Sequence, residues 1–162
     1  MGNYKNLEND FVQRTMELIA QYESIVYKFE YKNQYNYTLL INCLLGLVVL
    51  PKEKSLTYLP SNLLDEKLKK EMGLHHSIIN SKYNTISKLI VALRHSISHF
   101  NIQVISDLDD EFAIDQIIFE KDYNQTKIHV ATFRANELLP FLRYYASWLL
   151  SEINNKKQSK KH

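Results

Sequence analysis

Residues 77–101 read SIINSKYNTISKLIVALRHSISHFN, and the fold turns on how this stretch is periodic. Ile79, Tyr83, Ile86, Ile90, Leu93, Ile97 and Phe100 alternate steps of four and three, the spacing of one apolar stripe on a long helix. At about 100° per residue, with Ile97 as zero, His95 falls near about 160° and His99 near about 200°, one turn apart on the opposite face. Arg94 lies near about 60°, on the flank, with a side chain long enough to swing toward the imidazoles. Lys88 and Asn84 share the back face with Val91, Ala92 and Ile102. A back face that mixes histidines with Val, Ala and Ile predicts a cover, either the rest of the bundle or a second copy of the chain.

Outward from this helix the pattern stays mostly helical. Val12, Met16, Ile19, Tyr22, Val26 and Phe29 predict a first helix from Asp10 to about Tyr31, capped by Asn9 or Asp10. A second, apolar nearly all round and therefore central, covers 37–50 and should stop at Pro51. Ser61 or Asn62 is expected to cap a short helix closed by Gly73. SDLDDE (106–111) reads as an acidic turn, and 114–120 and 127–133 as two strands joined at DYNQ. Asn136 is placed to cap a last helix to about Ile153, with Pro140 tolerated in its first turn. The expected fold class is mainly α: a four-helix bundle with one β-hairpin before the last helix, one domain over 1–155 and a basic flexible tail over 156–162.

Composition agrees. At 162 residues, 45% apolar and 23% charged, with three Gly and three Pro, the chain suits one globular helical domain rather than a many-stranded barrel. The net charge of +2 comes from the tail: Lys156, Lys157, Lys160 and Lys161 lie in the last seven positions, leaving 16 basic against 18 acidic groups in 1–155. That body lacks the charge of a general DNA binder. The lone Cys43, in an apolar run, excludes an internal disulfide framework and a thiolate-rich metal site. Residues 37–50 would span about 21 Å as a helix, short of a bilayer core, and the N-terminus has no apolar leader segment. A cytoplasmic protein with no membrane contact is expected.

The chemistry-bearing residues are Arg94, His95 and His99. An imidazole exchanges protons near neutral pH, and a guanidinium fits phosphate oxygens in a forked geometry. Together they suffice for metal-free cleavage of RNA, in which the ribose 2′-OH is the nucleophile; DNA lacks it. Ser98, Asn101, Lys88 and Asn42 are candidate supporting residues, Asn42 from within the buried second helix. The bland readings are that Arg94 and His99 complement the end of the helix dipole, and that Asn42 is a satisfied core amide. The spacing of His95 and His99 also suits a zinc pair, with a third ligand from His75, His76, His129 or a carboxylate, although Ser96 stands where a metalloprotease helix carries Glu. Asp107, Asp109, Asp110 and Glu111 lack the spacing of a calcium loop.

LRHSISHFNI (93–102) resembles the Arg-x(4–6)-His motif of the HEPN superfamily, small all-α proteins of toxin–antitoxin and phage-defence systems. LLINCLLGLVVLPKE (39–53) is similar to a small bacterial and plasmid-borne branch, and the resemblance spans most of 10–153. It implies a four-to-five helix bundle, a homodimer whose two motifs line one cleft, and an endoribonuclease that needs no metal or cofactor and leaves a 2′,3′-cyclic phosphate. Arg94 and His99 carry over as the motif pair. Family members often have Asn or Asp after the Arg, where this chain has His95. A subgroup continues as His-x-Tyr, with the Tyr modified by an antitoxin; here that position is Asn101, so an antitoxin partner would act differently. Other members are catalytically silent modules that bind a protein, RNA or nucleotide, and this is the alternative reading.

Overall fold

The computed structural model describes residues 4–54, 62–106 and 114–159. Helix α1 is Leu7–Ile25, capped by Asn6, whose side chain accepts from the Asn9 N–H at 3.1 Å. The cap thus sits ahead of the expected Asn9 or Asp10, and two short 3₁₀ turns, Val26–Lys28 and Tyr31–Asn33, replace the last turns expected of this helix. Helix α2, Asn36–Lys54, carries on past Pro51. A proline costs one intrahelical bond, which a last turn tolerates when burial of Leu44, Leu47 and Val48 holds the body of the helix.

Helix α3 is Glu66–Glu71, capped by Asp65 rather than Ser61 or Asn62; Ser61 lies outside the described residues. Gly73 ends it at φ 76°, and a Cβ there would collide with Pro140. Only glycine fits that left-handed position against the first turn of the last helix.

The largest departure from expectation lies in 77–101. Ile78–Ile79 form strand β1, Ser81–Tyr83 a 3₁₀ turn, and helix α4 is Ile86–Ser98. The two isoleucines pair with Thr132 and Ala131, and the Asn80 amide donates to the His129 carbonyl at 2.9 Å. Pairing to a sheet edge overrides helical periodicity for β-branched residues. Thr85 caps α4, its hydroxyl accepting from the Lys88 N–H at 3.3 Å.

Strand β2 is Ile102–Ser106, β3 is Ile114–Tyr123 and β4 is Thr126–Arg134; the sheet is antiparallel in the order β1-β4-β3-β2. The chain is mostly helical, as expected, but the anticipated hairpin is the middle of a four-stranded sheet. Asn124 and Gln125, both at positive φ, make the tight β3–β4 turn. Acidic residues 107–111 fall outside the described residues. Helix α5 is Leu138–Ser159, entered through a 3₁₀ turn at Ala135–Glu137, so Asn136 lies in that turn instead of capping the helix.

One core joins the helices to the sheet. Ile117, Phe119, Ala131 and Phe133 face it from the strands, and Leu89, Leu93 and Ile97 from α4. An aromatic column runs inward: Phe119 meets Phe133 edge-on at 5.4 Å, Phe133 lies 5.1 Å from Phe141, and Phe141 stacks with Tyr145 at 6.4 Å. Such aromatic pairs each contribute about 1 kcal/mol beyond area burial. Among the described residues no helix is long and apolar enough to cross a membrane.

Candidate functional site at the end of helix α4

The last turn of α4 closes on a Schellman arrangement. The Phe100 N–H donates to the Ile97 carbonyl at 3.1 Å and the Asn101 N–H to the Ser96 carbonyl at 2.8 Å. Asn101 is then clamped to β3: its amide donates to the Asp122 carboxylate at 2.7 Å and its carbonyl accepts from the Glu120 N–H at 2.9 Å. This fixes the closing turn of α4 against the sheet.

On that turn the rings of His95 and His99 lie 4.3 Å apart, centroid to centroid, tilted by 45°. His95 is half-buried and His99 exposed. Burial pushes the His95 pKa down, His99, Lys121 and Arg94 push it further, and Asp122 partly opposes them. Burial and these neighbours thus disfavour the imidazolium form of His95.

Arg94 is half-buried and, among the described residues, makes no ion pair and no side-chain hydrogen bond. It acts electrostatically on Tyr145, whose phenol pKa is raised by burial and opposed by the guanidinium. The Tyr145 hydroxyl is buried with no hydrogen-bond partner among the described residues.

Lys121 was not singled out from the sequence. Alternation along β3 puts it on the face of Ile117 and Phe119, the face packed on the helices, one step beyond the core. A register shift at Phe119/Glu120 lets two residues of β4 oppose one of β3 immediately before Lys121. The strand alternation carried its direction; nothing local carried its distance from His95.

The other candidates separate. Ser98 is exposed beside His99. Asn101 is buried and acts as the clamp just described. Lys88 is bound to Asn84 at 3.0 Å, about 9 Å back along the axis from Arg94. Asn42 is exposed on α2, so the expected interior amide is a surface one; Leu40, Cys43, Leu44 and Leu47 supply that helix's buried side. Phe100, expected in the core stripe, is 87% exposed at φ 58°, because the helix ends at Ser98 and its angular phase ends with it. Among the described residues no three His, Cys, Asp or Glu gather as a metal site, which leaves the zinc reading of His95 and His99 without a third ligand there.

A carboxylate far from this turn also escaped the sequence reading. Glu137 is buried and accepts from the N–H groups of His75, His76 and Ser77 at 3.0, 2.8 and 2.9 Å, and from the Ser77 hydroxyl at 2.6 Å. Burial works against its charge, but these donors prevail and hold its pKa below the ordinary glutamate value. His75 and His76 themselves are exposed. Cavities of about 360 Å3 (between α1, α2 and α5) and about 510 Å3 (beside Arg134 and Asp115) are not lined by Arg94, His95 or His99. At the Arg94–His99 turn His99 is exposed, and Arg94 and His95 are half-buried.

A mainly helical chain whose α4 closes on Arg-x4-His has the make-up of a HEPN-type protein. The chain belongs to the HEPN pEK499 p136 family, whose model matches residues 1–156. No curated protein and no solved structure matches it.

Proposed function

We propose that the chain is a metal-independent endoribonuclease of a toxin–antitoxin or phage-defence context. The observation that carries this reading is the Arg94 guanidinium, half-buried and without an ion pair among the described residues, on the same helical turn as two imidazoles 4.3 Å apart. A half-buried guanidinium without a carboxylate beside it is a ready partner for an incoming anion.

In the proposed reaction an imidazole takes the ribose 2′-OH proton as O2′ attacks phosphorus. The P–O5′ bond breaks and O5′ receives a proton, leaving a 2′,3′-cyclic phosphate and a 5′-hydroxyl. His99 is the principal proton-transfer group, as base or acid, and His95, kept neutral by burial and its cationic neighbours, assists it. Arg94 balances charge growing on the equatorial oxygens, and Lys121 adds a second cation. Val91, His95 and His99 share one face of α4, and Val91 is exposed. A second copy packed across this face would bring two motifs into one cleft, as HEPN homodimers do.

Wild type, Arg94→Ala and His99→Ala are incubated with single-stranded RNA in EDTA, and the product ends analysed. Cleavage by wild type alone with cyclic phosphate ends is the expected result. Cleavage abolished by EDTA overturns the metal-free mechanism; RNA bound but intact under all conditions identifies the silent module.

A further inference from the structure

Phe100 stands out as the residue that folding alone does not account for. It occupies the left-handed position that closes the helix, φ 58°, where glycine or asparagine is usual. Its ring is 87% exposed, so it contributes almost nothing to the core. The backbone on both sides is pinned by the bonds from Phe100 N–H to Ile97 and from Asn101 to Ser96, Glu120 and Asp122. A strained conformation over-determined by its surroundings belongs characteristically to a functional position.

We propose that Phe100 is a stacking platform for an unpaired RNA base, set next to the phosphodiester engaged by Arg94 and His99; this rests on the ribonuclease reading of that site. Every base presents a π-face, and single-stranded RNA is gripped by aromatic plates beside cationic groups. Here the plate directly follows His99, and Arg94 and Lys121, which act electrostatically on His95 of the same turn, have no ion pairs among the described residues. The chain neighbours Ser98, His99 and Asn101 are polar, so the ring stands in a polar stretch of chain. The platform selects single-stranded over duplex RNA, since a paired base has no free face to offer.

The test measures binding of single-stranded RNA carrying 2-aminopurine at successive positions, in a His99→Ala background that leaves the RNA intact. Quenching at one position is expected; it is lost with Phe100→Gly and Phe100→Leu and kept with Phe100→Trp. Phe100→Gly weakens binding about tenfold, while its unfolding midpoint stays level or rises, because glycine relieves the positive φ. Unchanged binding in Phe100→Gly, quenching at no position, no RNA binding at all, or a fall from dimer to monomer in the Phe100 variants each overturns the platform. Cleavage by the protein with Phe100-independent binding removes the platform and keeps the nuclease. Phe100-dependent binding without cleavage does the reverse.

Discussion

The imidazoles of His95 and His99 lie 4.3 Å apart one turn from each other, and both cannot carry a proton at low cost. His95 gives way first, because burial already disfavours its charged form and the His99, Lys121 and Arg94 charges add to that. NMR titration should place His95 below the ordinary histidine value, and His99→Ala should raise it part of the way back. The linked stability has a definite sign. As pH falls through the unfolded histidine value of about 6.5, the unfolded chain takes up a proton that folded His95 refuses, so this group lowers stability until the pH passes its folded pKa. A His95 resonance titrating at or above the ordinary value sinks this account.

Arg94 has no ion pair to lose among the described residues, so its removal separates function from folding. Arg94→Ala should lower the cleavage rate by about 10²–10³-fold, the usual range for removing one group that stabilises transition-state charge. Arg94→Lys keeps the charge and loses the fork, and should recover only part of the rate. Thermal unfolding should move little in either variant. A large drop in midpoint with Arg94→Lys would mark a structural arginine.

Tyr145 should behave against the usual rule that trimming a core residue destabilises. Its hydroxyl is buried with no hydrogen-bond partner among the described residues, and its ring is stacked between Phe141 and Trp148 at 6.4 and 5.9 Å. Tyr145→Phe keeps the stack and removes the unsatisfied oxygen, so it should stabilise by about 1 kcal/mol in denaturant unfolding. A clear loss of stability would show that the hydroxyl has a stabilising partner, with the Arg94 guanidinium, which acts on it electrostatically, the first candidate.

Glu137 ties the entry of α5 to the loop before β1 through four hydrogen bonds. Glu137→Gln turns one acceptor oxygen into a donor facing donors and should cost about 3 kcal/mol. Because the folded pKa is depressed, the wild type has this stabilisation in full above the unfolded glutamate value and loses it as pH falls through the folded one. Equilibrium unfolding from pH 7 to pH 3 should therefore show a steeper decline for wild type than for Glu137→Gln; parallel curves would exclude the carboxylate as a charged anchor.

The sequence disclosed Arg94, His95 and His99 as neighbours because one helix carries all three, and the step per residue converts spacing into direction. That same step misplaced Phe100 and Ile79, since it holds only while the helix lasts. Residues 78–79 were claimed by an edge of the sheet, and the Schellman turn ends α4 at Ser98. Lys121 and Asp122 reach the site from a strand, and no local pattern reports which helix end a strand will meet. Glu137 was invisible for another reason: its partners are mostly backbone N–H groups some 60 residues away, which every sequence possesses alike.

Lys121 offers the sharpest check on whether that strand belongs to the site. Its ammonium acts on His95 and, among the described residues, forms no ion pair, while the neighbouring Lys127 pairs with Glu120 at 3.6 Å. A lysine that meets a phosphate releases a counterion when RNA binds. Lys121→Gln should then weaken single-stranded RNA binding and lower the slope of log affinity against log salt by about 0.7. Lys127→Gln, engaged with Glu120 on the exposed end of the sheet, should leave the slope unchanged. Equal slopes for wild type and Lys121→Gln would confine the phosphate contacts to Arg94 and its helix, with β3 serving only to clamp the turn through Asn101.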